Sequence, residues 1–77
     1  MKSVYVIKDK DGNYISPRRT KNDWFFVAYT GDVTGFTFYS NIDTAQEEVK
    51  ILNNLGNDFY LEQVDFKSIP KGRRVSL

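Results

Sequence analysis

The chain has no cysteine and no histidine among its 77 residues, and these two absences remove most of the chemistry a small domain can carry. Without cysteine there is no disulfide framework and no thiolate metal site. Without histidine, the commonest acid/base near neutral pH and the commonest metal ligand are both missing. No apolar run approaches the roughly 20 residues needed to span a bilayer, and no charged and then apolar leader opens the chain. A membrane partner is therefore not expected, and the reading is of a cytoplasmic protein. The formal net charge of +1 creates no global field to attract nucleic acid or a membrane surface.

What the chain does have is aromatic side chains, 16% of its residues, including Trp24, six Phe and five Tyr. A single domain of this length buries only about 60% of the surface its unfolded chain exposes, so a few large rings must supply much of the core.

Two short β-prone stretches open the sequence. Ser3 to Lys8 (S-V-Y-V-I-K) reads as a central strand, and Asn13 to Ser16 as a second one stopped by Pro17. The stretch between them, D-K-D-G-N-Y-I-S from Asp9, offers oxygen ligands at positions 1, 3 and 5 of a helix-loop-helix calcium loop. It fails at the two positions that define such a loop, since Tyr14 stands where a glycine is required and Thr20 where a bidentate glutamate is required. A hairpin turn explains it better. A three-residue Lys10-Asp11-Gly12 loop with Gly12 left-handed sets Ile7 opposite Ile15, whereas a two-residue loop sets Ile7 opposite Ser16.

From Asp23, D-W-F-F-V-A-Y-T is the most β-prone stretch. It is followed by the glycine-bracketed turn G-D-V-T-G and by F-T-F-Y-S at Phe36 to Ser40, expected to pair with it as a second hairpin. Then the apolar period changes: Ile42, Ala45, Val49, Leu52 and Leu55 recur at spacings of three and four, which predicts one helix with a single buried stripe. Asp43 is its expected N-cap, with Gln46 completing a capping box, and Gly56 its left-handed C-terminal residue. F-Y-L-E-Q-V-D-F at Phe59 to Phe66 closes the set as a strand whose imperfect alternation suggests a bulge near Glu62 or Gln63. The expected fold is therefore α+β, ordered β-β-β-β-α-β: two hairpins and a C-terminal strand, with one helix packed on a face. Residues 1–70 form one domain, and 71–77 a basic tail outside it.

Two features bear on function. Trp24, Phe25, Phe26, Tyr29, Phe36, Phe38 and Tyr39 crowd one segment, and one helix covers one sheet face, so part of this aromatic surface is expected to be exposed for binding. Seven of the eleven cations fall in two places, Arg18, Arg19 and Lys21, and Lys67, Lys71, Arg73 and Arg74. The carboxylates show no spacing that demands catalysis: Glu47 and Lys50 form an ordinary helix pair, and Asp23, Asp32, Asp58 and Asp65 fall at strand ends or turns. No cofactor is implied.

With Y-V-I-K at Tyr5 to Lys8, D-G-N-Y at Asp11 to Tyr14, Trp24 opening a strand, and F-Y-S-N-I-D-T-A leading into the helix, residues 3–55 resemble small accessory proteins of phages and prophages of Gram-positive bacteria. The resemblance implies a non-catalytic protein that inhibits or redirects a host protein, for example in anti-defence (as anti-CRISPR proteins do) or host takeover. It assigns a role to no individual residue. The composition itself nominates Trp24, Tyr29 and Tyr39 as partner-binding anchors with Arg18 and Arg19 beside them, because Trp, Tyr and Arg dominate interface energetics. An alternative is a single-stranded nucleic-acid module in which Arg18, Arg19, Lys21, Arg73 and Arg74 hold phosphates while the rings stack on bases. A third is a homo-oligomer formed through an exposed strand edge.

Overall fold

The computed structural model describes residues 3–30, 35–68 and 73–75. It is an α+β fold whose elements are β1 (Ser3–Lys8), β2 (Tyr14–Arg19), β3 (Trp24–Tyr29), β4 (Thr37–Tyr39), α1 (Ile42–Asn54), β5 (Tyr60–Asp65), a 3-10 turn at Phe66–Ser68, and β6 (Arg73–Val75). The β1–β2 hairpin takes the register that pairs like with like, Ile7 opposite Ile15 and Lys8 opposite Tyr14. Gly12 closes the loop with φ +84°. Asp9 organises the turn, its Oδ1 accepting the N–H groups of Asp11 and Asn13 at 2.9 Å each and its Oδ2 the Asn13 amide at 2.8 Å. These bonds hold the Asp9 carboxyl below the usual carboxylate range, the Asn13 side chain contributing most.

β1 is the stem of a forked sheet. β5 occupies one edge of β1 along its whole length, from Ser3 opposite Asp65 to Lys8 opposite Tyr60. The other edge is divided, since β2 pairs at Ile7 and Lys8, and β4 pairs at Tyr5 opposite Tyr39. Past Ile15, β2 leaves β1 and continues with β3, from Tyr14 opposite Tyr29 to Arg19 opposite Trp24. β4 enters the gap and pairs in parallel with β6. At the crotch of the fork the Ser16 Oγ accepts the main-chain N–H of Thr37 at 2.7 Å, with both residues buried.

Both faces of the stem are covered. On the α1 side Ile7, Ile15, Tyr39, Ala45 and Leu52 form a closed cluster, with Tyr5, Trp24, Val49, Phe59 and Leu61 packed against it. On the opposite side Val4, Val6, Phe36 and Phe38 form a second cluster, joined by Tyr14, Tyr29 and Val64. Phe36 stacks on Tyr14 with centroids 4.2 Å apart, and Phe38 meets Phe66 edge-on at 5.8 Å. Each such buried side chain contributes about 1.5–3 kcal/mol.

Five expectations are corrected here. β4 does not pair with β3, so there is no second hairpin of that kind: Thr37, Phe38 and Tyr39 are all buried, which requires a strand inside the sheet. The G-D-V-T-G turn expected between them lies, in residues 31–34, outside the described residues. Pro17 does not end β2; it lies beyond the last pairing to β1, where a missing donor costs that ladder nothing. β5 needs no bulge, because its ladder with β1 runs unbroken and alternation sends Phe59 and Leu61 to one covered face and Val64 and Phe66 to the other. The N-cap of α1 is Asn41, whose Oδ1 accepts the N–H groups of Asp43 at 2.8 Å and Thr44 at 3.4 Å, so Asp43 falls in the first turn, where a negative charge suits the helix dipole. Finally, Arg73–Val75 of the expected tail form β6 beside β4.

The helix otherwise ends as its sequence asks. Gly56 takes φ +101°, and the Asn57 amide donates to the Leu52 carbonyl at 2.8 Å. Of the expected stripe, Ala45 and Leu52 are buried and Val49 packs on the core, while Ile42 and Leu55 at the two ends remain exposed. Asn53 ties α1 to the start of β5 by donating to the Phe59 carbonyl at 3.0 Å and accepting its N–H at 2.8 Å. Among the described residues no helix is long and apolar enough to cross a membrane.

Candidate binding surface on the β2–β3 arm

The arm that leaves the stem carries Phe25, Phe26 and Val27, three exposed apolar residues in a row; Tyr60 on β5 and Phe66 in the 3-10 turn are exposed apart from them. Its ladder puts Tyr14, Ser16, Arg18, Phe25, Val27 and Tyr29 on one face and Ile15, Pro17, Arg19, Trp24, Phe26 and Ala28 on the other. W-F-F-V-A-Y is rich in aromatic and β-branched residues, which suit a pleated surface, and contains no charge and no proline.

On the first face Tyr29 packs against the Val4–Phe36 cluster, and its hydroxyl accepts from Arg18 Nη2 at 3.3 Å. Arg18 Nη1 donates to the Pro17 carbonyl at 3.0 Å and to Thr37 Oγ1 at 3.2 Å. The guanidinium is thus held in place by three neutral oxygens. Beyond it Phe25 and Val27 stand out, 47% and 37% exposed.

On the second face Trp24 is half-buried against the α1-side core, and the Arg19 guanidinium lies 5.5 Å from its ring centroid. Phe26 meets Phe59 edge-on at 4.9 Å and is still 38% exposed. The Asn53 bonds to Phe59 therefore fix the floor under Phe26.

Among the described residues β3 pairs on one side, with β2, and no strand takes its outer edge. Natural edge strands are usually protected by a charge, a proline or a bulge, and this one has neither charge nor proline. The cations at its Trp24 end, Arg18, Arg19 and the exposed turn residue Lys21, have no carboxylate partner among the described residues. The ion pair found there is elsewhere, between Lys8 and Glu62 at 2.8 Å across β1 and β5, where the Glu62 bond holds the Lys8 pKa above its ordinary value.

Of the nominated anchors, Trp24 and Arg19 come together on one face of the arm and Tyr29 and Arg18 on the other. Tyr39 does not join them, and its nomination is corrected. It is fully buried under α1, its hydroxyl donating to Glu48 Oε1 at 2.5 Å, and burial pushes its pKa far above the ordinary tyrosine value, the Glu48 bond adding to the effect. The backbone of Arg73 and Arg74 lies in β6, on the other arm of the fork, and their side chains are outside the described residues. The exposed residues that sequence reasoning passed over as anchors are Phe25, Phe26 and Val27. The signal for them was present in an uncharged edge-type strand, but which of its rings the core would claim depends on the fork.

No group of three or more metal-ligating side chains assembles among the described residues. No protein-family model matches the chain, and no solved structure does. Over 70 residues it is 36% identical to a glutathione hydrolase proenzyme of Pseudomonas sp. (strain A14), a stretch that is 91% of this chain and 12% of that protein. The chain thus spans about an eighth of the length of the curated relative it matches.

Proposed function

We propose that this is a non-catalytic protein-binding domain, a phage-type accessory protein that inhibits or redirects a host protein. The observation that carries the reading is β3, a six-residue apolar strand with Phe25, Phe26 and Val27 exposed and its outer edge free among the described residues. Exposed apolar surface of this kind costs solubility and is usually retained where a partner covers it. The likeness to a hydrolase proenzyme over 12% of that protein's length does not bring its activity into this reading.

The second reading, single-stranded nucleic-acid binding, draws support from Arg19 lying over Trp24, a stacked cation and ring beside exposed aromatics. The two separate by salt and by nuclease. Affinity capture from a Gram-positive lysate, with and without nuclease, should return a stoichiometric protein that survives nuclease and is lost with Phe25→Ser/Val27→Ser. Material that vanishes with nuclease and whose affinity falls steeply with salt would replace this reading with the second.

A further inference from the structure

The charges beside β3 say what kind of segment fits its edge. Arg18 and Arg19 lie on β2 directly across from Phe25 and Trp24, and Lys21 lies in the turn next to them. All three cations therefore gather at one end of an uncharged strand, with Asp23 as the nearby acid. A strand added to β3 would run about 4.8 Å from it and about 10 Å from β2, a gap that an arginine on β2 and an acidic side chain on the added strand close by reaching toward each other. Arg19 lies over the Trp24 ring of β3, whereas the Arg18 guanidinium is turned the other way, bonded to Thr37 of β4 and to Tyr29, so the cations left to meet an anion at that edge are Arg19 and Lys21.

We infer that the outer edge of β3 receives an extended segment of a partner protein as an added strand, apolar at alternate positions and acidic at the end that lies beside Trp24. The inference rests on the protein-binding reading and specifies its mode. Main-chain hydrogen bonds along the roughly 20 Å of β3 supply affinity, and Phe25 and Val27 on one face, with Phe26 on the other, receive alternate side chains. Arg19 and Lys21 select acidic residues at one end. A second copy of this chain fits less well, because its own β3 has no charge to offer and would leave the same cations unpaired in both copies.

The test is selection of linear peptides of about nine residues from a random display library on the full chain, followed by amide exchange of the chain with one synthesised winner. The expected winners alternate apolar residues and carry Asp or Glu at one end, and binding slows exchange across Trp24–Tyr29. Arg19→Glu/Lys21→Glu, both exposed positions, should weaken an acidic winner on the order of tenfold and turn a fresh selection toward basic peptides. Winners without charge preference, or binding that leaves β3 exchange unchanged, would overturn strand addition while leaving the binding reading intact. Failure to select any peptide, with Phe25- and Val27-dependent capture from lysate retained, would do the same. Protection of β3 that grows with protein concentration alone would overturn it in favour of a second copy.

Discussion

The Ser16 hydroxyl oxygen accepts the main-chain N–H of Thr37 at 2.7 Å, and this buried bond joins the two arms of the sheet where β2 departs and β4 arrives, beside the Arg18 bond to the Thr37 hydroxyl. Neither residue is reached by water, so the side chain of one strand substitutes for a ladder partner on the next.

Ser16→Ala should therefore cost about 1–3 kcal/mol, the penalty for a buried N–H left without an acceptor. Urea unfolding followed by circular dichroism measures it. A loss under about 0.5 kcal/mol would mean that the arms are held by packing and the Arg18–Thr37 bond without it.

Gly12→Ala should destabilise by about 1–2 kcal/mol, and the cause is conformational. A Cβ built at Gly12 meets nothing within 4 Å, but φ is +84°. Asn at the same position should recover part of the loss, because asparagine tolerates the left-handed region. Equal losses for Ala and Asn in thermal melts would point to a contact instead.

Tyr39 predicts an alkaline limit. Its folded pKa is raised above the unfolded value near 10, so above about pH 10 the unfolded chain binds fewer protons and stability falls as pH rises. Below that value the contribution is fully present. Tyr39→Phe should lose about 1–2 kcal/mol at neutral pH with the Glu48 bond and flatten the decline above pH 10. Parallel pH profiles of the two proteins would refute this.

Trp24→Ala and Phe25→Ser/Val27→Ser should separate folding from binding. Trp24 packs on the core, and its truncation should cost about 3 kcal/mol or more. Phe25 and Val27 face outward, and replacing them should change the unfolding midpoint little while abolishing partner capture. Retained capture by a folded double variant would move the interface off this arm.

What could be read in advance was local. The β1–β2 register, Gly12 and Gly56 all follow from neighbours in sequence, because a turn and a two-residue period leave few arrangements. The place of β4 was not legible, since F-T-F-Y-S alternates in the same way beside β3 or beside β1, and only the covering of both its faces distinguishes them. That one difference decided the site as well. With β4 inside the sheet, Tyr39 went under α1 and Tyr29 onto the second core, and Phe25 and Val27 were left outside. Pro17 and Ser16 misled for a related reason: each looks like a strand end, and at a fork both belong inside one.

The stem has a consequence for how the molecule forms. β1 takes its neighbours from three distances along the chain, β2 at once, β4 some thirty residues later and β5 some fifty to sixty, as Ile7 with Ile15, Tyr5 with Tyr39, and Lys8 with Tyr60 through Ser3 with Asp65 record. Two of these three pairings require large loops to close before any contact repays them, which places such a domain among slower, milliseconds-to-seconds folders. The local pairings are those of the β1–β2–β3 meander, and Val4 and Val6 are covered only when Phe36 and Phe38 come back from beyond it.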